Sequence, residues 1–327
     1  MEQNLSCKIC GNSDNNKFYK VREMMYGTRE VFDYMECGKC GCLQLTTRLD
    51  DPSKYYPTDY YSYDNRGDAH FKSPLKNFVV SLRDSYVLTG KGTTGKIINK
   101  YFPNRGLGLF LFKHVHLKKN AKILDVGCGA GTMPYLFKNA GFTDVTGIDP
   151  FIKEDIYYDN GLSIYKKYIY DLNEQIYDAI IYNLSFEHIP DPVNELKKVF
   201  TLLKPGGACV LRIPSVSSYV WEHYKEDWVQ LDAPRHYFLF SNESIQIMAE
   251  KSGFKLEEIY HESDSFQFIG SEQYKMDIPL VTDERSYYRG NREVFTLDQI
   301  EDYKAKAKKL NEDKKGDLVF VILRKNK

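Results

Sequence analysis

Four thiols at paired spacing are the first chemistry legible in this chain. Cys7-x-x-Cys10-Gly11 and Cys37-x-x-Cys40-Gly41 form two knuckles separated by 26 residues, the arrangement that delivers four thiolates to one tetrahedral Zn²⁺. The glycine after each second cysteine lets the backbone turn beneath the sulfur. Thiolates fill every coordination position and leave no room for a reacting water, so the expected zinc is structural. Cys42 is offset by one residue from its knuckle and should point elsewhere. Cys128 and Cys209 fall in core strands or at their edges. Five of the seven cysteines crowd into the first 42 residues, which fits metal thiolates in a reducing, cytoplasmic setting better than disulfides.

A second set of residues suits a nucleoside. Ile123-Leu124-Asp125-Val126-Gly127-Cys128-Gly129-Ala130-Gly131-Thr132 reads as a strand entering a glycine-rich turn that opens a helix, where a missing Cβ lets backbone approach a ligand. Asp149 follows 22 residues after Gly127, at the end of Val145-Thr146-Gly147-Ile148, where a carboxylate can accept hydrogen bonds from both ribose hydroxyls. Nicotinamide and flavin domains share this layout. Here, however, Thr132 takes the place of the third glycine in G-x-G-x-x-G, and the acid at the strand end suits an ammonium group better than a pyrophosphate.

On these residues the chain resembles the class I S-adenosylmethionine-dependent methyltransferases over about residues 116–261. Further matches lie at Tyr177-Asp178-Ala179-Ile180-Ile181, Phe186-Glu187-His188-Ile189-Pro190-Asp191-Pro192 and Leu203-Lys204-Pro205-Gly206-Gly207. The resemblance implies that Asp125, Gly127, Gly129 and Gly131 hold the methionine end of S-adenosylmethionine, with Cys128 in the same turn. It places Asp149 and Pro150 at the ribose, Ile169 at the adenine edge, and Asn183 with Leu184 beneath the methyl group. Tyr168 stands where the family often has an acid.

A hydroxyl acceptor benefits from a base within reach, and histidine is the usual choice near neutral pH. His236 and His188 are the two candidates. His236 lies in Arg235-His236-Tyr237-Phe238-Leu239-Phe240-Ser241, which resembles the His-x-x-x-Phe-Ser stretch of zinc-containing methyltransferases acting on nucleotide-linked deoxysugars. The resemblance implies a catalytic base at His236. Those relatives often carry Glu where this chain has Arg235, whose fork could bind a phosphate or carboxylate of the acceptor. Tyr237 is a second expected acceptor contact. Glu187-His188 is similar to a pair in quinone-biosynthesis methyltransferases that holds a divalent metal with another acid three residues earlier. That position is Leu184 here, so no metal is expected there. The tyrosines at 55, 56, 60, 61 and 63 could line a sugar surface or pack between modules.

These residues need a scaffold of alternating strands and helices. Short apolar runs predict strands at 122–126, 144–148, 178–182, 207–213, 255–260 and 318–324, and amphipathic spacing predicts helices near 131–140, 192–203 and 242–252. The expected fold is therefore α/β: a Rossmann-like sheet, seven-stranded by the resemblance, with helices on both faces and a small zinc-ribbon-like module before it. Three segments follow: residues 1–50 for the four-cysteine module, 51–115 for a Tyr-rich helical connection, and 116–327 for the methyltransferase domain with acceptor-side insertions near 214–241 and 263–316. Leu75, Phe78, Val79 and Leu82, then Ile97, Ile98, Tyr101 and Phe102, recur at helical spacing in the connection. Gly90-Lys91-Gly92-Thr93-Thr94-Gly95-Lys96 mimics a phosphate-binding loop, but Ile97 replaces the Ser or Thr that would reach Mg²⁺.

Composition narrows the partners. Hydrophobic residues make up 42% and charged residues 28% of the 327, values of an ordinary globular protein. Lys plus Arg and Asp plus Glu number 45 each, so no global field gathers polyanions and a nucleic acid partner is not expected. No stretch approaches the roughly 18 apolar residues of a membrane span. The reading is a methyltransferase acting on a small-molecule acceptor, most simply a sugar or nucleotide-sugar hydroxyl. An RNA base methyltransferase with a zinc ribbon, and a non-catalytic interaction protein with a vestigial Rossmann domain, are the rivals.

Overall fold

The computed structural model describes residues 5–56, 73–104 and 106–327; Tyr60, Tyr61 and Tyr63 lie outside them. At the N-terminus β1 (Lys17–Arg22) and β2 (Val31–Glu36) form an antiparallel hairpin, and β3 (Leu43–Leu45) pairs with β2 in the register Tyr34↔Leu45. Alternation is visible in β2, where Phe32 and Tyr34 are buried and Val31 and Asp33 exposed. Its buried face meets Trp221, Trp228 and Phe268 of the later chain. The small sheet therefore shares its core with the main domain.

Two helices follow, α1 (Pro74–Thr89) and α2 (Thr93–Tyr101), which approach closely at Gly95, where a Cβ would run into the Leu82 carbonyl. The 3-10 segment Gly106–Val115 then lays Leu109, Phe112 and Val115 onto the main sheet, with Phe112 edge-on to Phe320 at 4.9 Å between ring centroids. Several of the apolar positions that recur at helical spacing face outward. Leu75, Phe78, Ile97, Tyr101 and Phe102 are all exposed.

The main sheet is built from β4 (Lys122–Val126), β5 (Asp144–Ile148), β6 (Ile156–Tyr157), β7 (Ser163–Tyr165), β8 (Tyr177–Asn183), β9 (Leu203–Pro214), β11 (Lys255–His261) and β12 (Leu318–Arg324). Its order is β11-β12-β9-β8-β4-β5-β7-β6. Runs such as Val319 to Leu323 are buried on both faces, which is why they read as continuous apolar stretches rather than alternating ones. Pairing is parallel through β7-β5-β4-β8-β9 and antiparallel for β9-β12, β12-β11 and β7-β6. Among the described residues the sheet thus has eight strands and not seven. The extra one, β6, is a two-residue edge, too short to carry any periodicity.

Helices α3 (Thr132–Asn139), α4 (Pro192–Leu202) and α6 (Asn242–Lys251) stand where the sequence predicts them. Asp191 caps α4 by accepting from the Asn194 amide, with Pro192 in the first turn, and Ser241 caps α6 through Ser244. The two long interruptions are not structureless. They hold α5 (Tyr219–Tyr224), then α7 (Phe266–Lys275) and α8 (Leu297–Glu312), the last started by a Thr296-x-x-Gln299 capping box. A two-residue strand, β10 (Phe238–Leu239), leaves the first interruption and completes the N-terminal sheet beside β3, in the register Phe238↔Gln44.

Candidate functional site

In open α/β sheets ligands bind outside the carboxyl ends of the strands, where the strand order reverses. Here that place lies between β4 and its neighbours β5 and β8. Gly127, Gly129 and Gly131 in the turn after β4 all have positive φ, at 69°, 54° and 88°. At Gly127 a Cβ would come within 2.6 Å of the Ser185 Cβ, so glycine is needed there for space as well as conformation. Asp149, at the end of β5, ties the turn down: one carboxylate oxygen accepts from the Gly129 amide at 2.9 Å and the other from the Phe151 amide at 2.8 Å. Burial raises its pKa, and these two amides oppose the rise.

Asp125, at the end of β4, is buried, and its Oδ1 has no hydrogen-bond partner. Burial and the neighbouring Asp149 push its pKa well up. An orphaned buried carboxyl is costly unless a ligand completes it, and the ammonium of S-adenosylmethionine has the right charge and donors to do so. The residues present therefore fit that group. Ile169 is buried in the same apolar cluster as Val126 and Ile148, Cys128 packs under Gly147, and Asn183 accepts from the Arg212 guanidinium at 3.2 Å. Pro150 is half-buried, and the Phe151 ring after it stacks on Tyr56 at 6.5 Å.

Leu184 sits just past β8 with φ of 54°, a left-handed conformation that a leucine rarely adopts. It is also on the wall of a cavity of about 1270 Å³, whose lining includes Glu187, His188, Arg212, Asp232 and His236. The carboxyl end of the sheet and the cavity meet at this residue.

His236 is buried with its Nδ1 2.8 Å from the Gln230 carbonyl. A carbonyl can only accept, so Nδ1 carries the proton and Nε2 presents a lone pair. Burial lowers the pKa of this histidine, leaving it neutral. Its Nε2 lies 3.9 Å from Glu187 Oε1 and 3.8 Å from Asp232 Oδ2. Neither oxygen of the buried Glu187 carboxyl has a hydrogen-bond partner, and burial pushes its pKa up to about 8. The His188 ring is 4.8 Å from that of His236, with Nδ1 2.9 Å from the Arg235 carbonyl. Burial and His236 hold His188 down to about 3. Ligand-type atoms of Glu187, His188 and His236 all lie within 4.8 Å of one another, a group that could hold a metal ion. Local spacing argued against such a cluster because it looked only to Leu184 for the missing group. The structure supplies His236 from another element.

Arg235 and Tyr237, expected to touch the acceptor, are not on the cavity wall. The Arg235 guanidinium is fully buried and held on all three nitrogens: it binds Asp232 through Nε and Nη2, Glu23 through Nη2 at 2.8 Å, and the Tyr55 carbonyl through Nη1. Its partner Glu23 lies more than 200 positions away, which no local pattern could reveal. Tyr237 is held by its backbone, between the Glu187 carbonyl and the Leu45 amide. Arg212, which sequence reading passed over, does line the cavity and is paired with Glu262.

The four knuckle cysteines converge. Cys7 and Cys40 sulfurs are 3.6 Å apart, Cys10 and Cys37 sulfurs 3.4 Å, and all four lie within 4.8 Å of one another. Zn–S bonds of about 2.3 Å in a tetrahedron set sulfurs about 3.8 Å apart, so this group fits zinc. Cys42 points away, towards the Leu43 and Leu239 carbonyls. The module is tied to the histidine loop through β3-β10 pairing, a Tyr34 hydroxyl donating to the His236 carbonyl at 2.8 Å, and the Ser241 hydroxyl on the Cys40 carbonyl.

Residues 99–259 match the model of a methyltransferase domain family. A ubiquinone biosynthesis O-methyltransferase of Haemophilus ducreyi is 33% identical over 118 residues, which is 31% of this chain and 50% of that protein. The chain thus spans about half the length of the curated relatives it matches. Among solved structures, an S-adenosylmethionine-dependent methyltransferase of Archaeoglobus fulgidus is 17% identical with a TM-score of 0.42, covering 72% of this chain and all of that one. One from Mesorhizobium loti is 15% identical with a TM-score of 0.41, covering 66% and 97%.

Proposed function

We propose that this chain, whose residues 99–259 match a methyltransferase domain family, is an S-adenosylmethionine-dependent enzyme that methylates a hydroxyl of a small molecule, and that the acceptor is a sugar or nucleotide-linked sugar. S-adenosylmethionine supplies an electrophilic methyl group on a sulfonium sulfur. The Asp125 carboxylate receives the ammonium, the glycine turn lets the backbone close on the methionine end, and Asp149 takes the ribose hydroxyls. Pro150 and Ile169 flank the nucleoside, and Asn183 and Leu184 form the floor at the methyl. The acceptor enters the cavity from the opposite side of Leu184.

His236 is the base. Its Nδ1–H is spent on the Gln230 carbonyl, so Nε2 is free to take the acceptor proton, and Asp232 at 3.8 Å stabilises the imidazolium that results. The neutral resting state of His236 leaves it competent to accept. His188 and Glu187 shape the same corner. The observation that carries this reading is the meeting at Leu184 of the carboxyl end of the sheet, with its unpartnered Asp125, and a cavity lined by a histidine with a free lone pair. Oxygen as the acceptor atom is supported by the O-methyltransferase relatives. A sugar is supported by the histidine stretch of the loop and by a cavity large enough for more than one ring. The four-cysteine group holds structural zinc.

The test is transfer of labelled methyl from S-adenosylmethionine to panels of nucleotide sugars, phenolic alcohols and small RNAs. Labelling of a sugar hydroxyl that disappears in His236→Ala is the expected result. Labelling of RNA bases would replace the reading.

A further inference from the structure

The zero net charge conceals a strong local bias. Between residues 73 and 121 there are nine Lys or Arg and a single acid, Asp84. Asp84 is buried and bound to Arg83, so it screens nothing outside. This stretch contains α1 and α2, whose outward faces carry large apolar side chains among the lysines, where a helix that meets only water is polar. Leu75 is 76% exposed, Phe78 62%, Ile97 60% and Phe102 71%. Lys76, Lys91, Lys96 and Lys100 are exposed on the same pair of helices or the turn between them. Isolated apolar side chains on a surface need no explanation, but a cluster on two packed helices framed by one sign of charge does.

We infer that α1 and α2 dock this protein onto an anionic lipid bilayer. Aliphatic and aromatic side chains on one face, with lysines beside them, are what an interfacial helix needs: the apolar groups enter the headgroup boundary and the ammonium groups meet lipid phosphates. The charge selects an anionic partner. Phe78, Tyr101 and Phe102 are exposed rings that could stack on bases, but Leu75, Val79 and Ile97 beside them are aliphatic, and this mixture of aliphatic and aromatic groups with lysines suits the headgroup boundary of a bilayer better than a row of bases. No helix among the described residues is long and apolar enough to cross a membrane, so the contact is peripheral.

Location gives the docking a consequence. The end of α2 and the segment after it, at Asn99, Lys100, Pro103, Asn104 and Phe110, line the large cavity. A protein lying on these helices opens that cavity at the bilayer surface, which suits an acceptor carrying a lipid tail. This consequence rests on the methyl-transfer reading; the docking does not.

The full-length, zinc-loaded protein is sedimented with vesicles of phosphatidylcholine alone and of phosphatidylcholine mixed with phosphatidylglycerol. Binding should occur only with the anionic vesicles and fall with added salt. A Leu75→Ser, Phe78→Ser, Ile97→Ser variant, and separately Lys76→Glu with Lys96→Glu, should each reduce the bound fraction at least tenfold while S-adenosylhomocysteine binding stays intact. No vesicle binding by a protein that still binds S-adenosylhomocysteine overturns the inference. So does a dimer in sedimentation velocity that the triple variant dissolves, or preferential binding of small RNA through the same residues. Vesicle binding without S-adenosylhomocysteine binding would uphold the docking and remove the methyltransferase reading.

Discussion

Replacing Glu187 with Gln should flatten the pH dependence of folding stability. In the folded chain the carboxyl is buried with neither oxygen bonded, and burial moves its pKa from 4.5 up to about 8. Unfolding returns it to water. Between those two values the unfolded chain has released the proton while the folded chain keeps it. Stability is therefore full below about pH 4.5, falls as pH rises, and levels off above about 8. Each pH unit in that window costs about 1.4 kcal/mol, so the whole window amounts to roughly 4 to 5 kcal/mol. Glutamine has no such proton to lose. Zinc and the remaining titratable groups are common to both chains, so their effects cancel in the difference. Urea unfolding of both proteins at intervals from about pH 5 to about pH 9 measures it. The stability of the parent relative to Glu187→Gln should decline by several kcal/mol across the series. A difference that stays constant would mean that the carboxylate is ionised and compensated in the folded state, and would refute the burial argument.

Two further substitutions separate the parts of the site. Asp149→Ala removes the acceptor for the Gly129 and Phe151 amides, and should weaken S-adenosylhomocysteine binding by at least about tenfold with zinc content, read by elemental analysis, unchanged. Equal loss of both would indicate general unfolding. Tyr34→Phe strips the hydroxyl from the buried His236 carbonyl and should cost about 1–3 kcal/mol of stability. It should lower kcat while S-adenosylhomocysteine affinity, measured by calorimetry, is kept, because Tyr34 packs in the core with Phe32, Trp221 and Trp228 whereas Val126 and Ile148, next to the glycine turn and Asp149, belong to another cluster.

Much of this architecture can be read from local patterns. The glycine turn between β4 and α3, the acid at the end of β5 and the two cysteine knuckles are each specified by residues close together in sequence, and the expected strands from 122–126 to 318–324 fall on observed ones. What escapes the sequence is set by tertiary partners. The strand Phe238–Leu239 is too short for a periodic signal, and only its pairing with Leu43 and Gln44 makes it part of the N-terminal sheet. Arg235 looks like a free anion ligand until Glu23 and Asp232 enclose it. The closeness of Glu187 and His236 depends on two segments meeting over the cavity. For α1 and α2 the helical spacing is right, but periodicity says only that apolar residues share a face and not that the face is covered. One helix was legible and missed: the Thr296-x-x-Gln299 capping box announces α8.

The central claim is that the carboxyl ends of β4 and β5, with Asp125 and Asp149, hold S-adenosylmethionine. Calorimetric titration of the zinc-loaded protein with S-adenosylmethionine and S-adenosylhomocysteine tests it most directly. The account predicts saturable binding of both at one molecule per chain. A folded, zinc-loaded sample that releases no heat with either ligand would contradict it and leave a zinc-bearing interaction protein on a Rossmann scaffold.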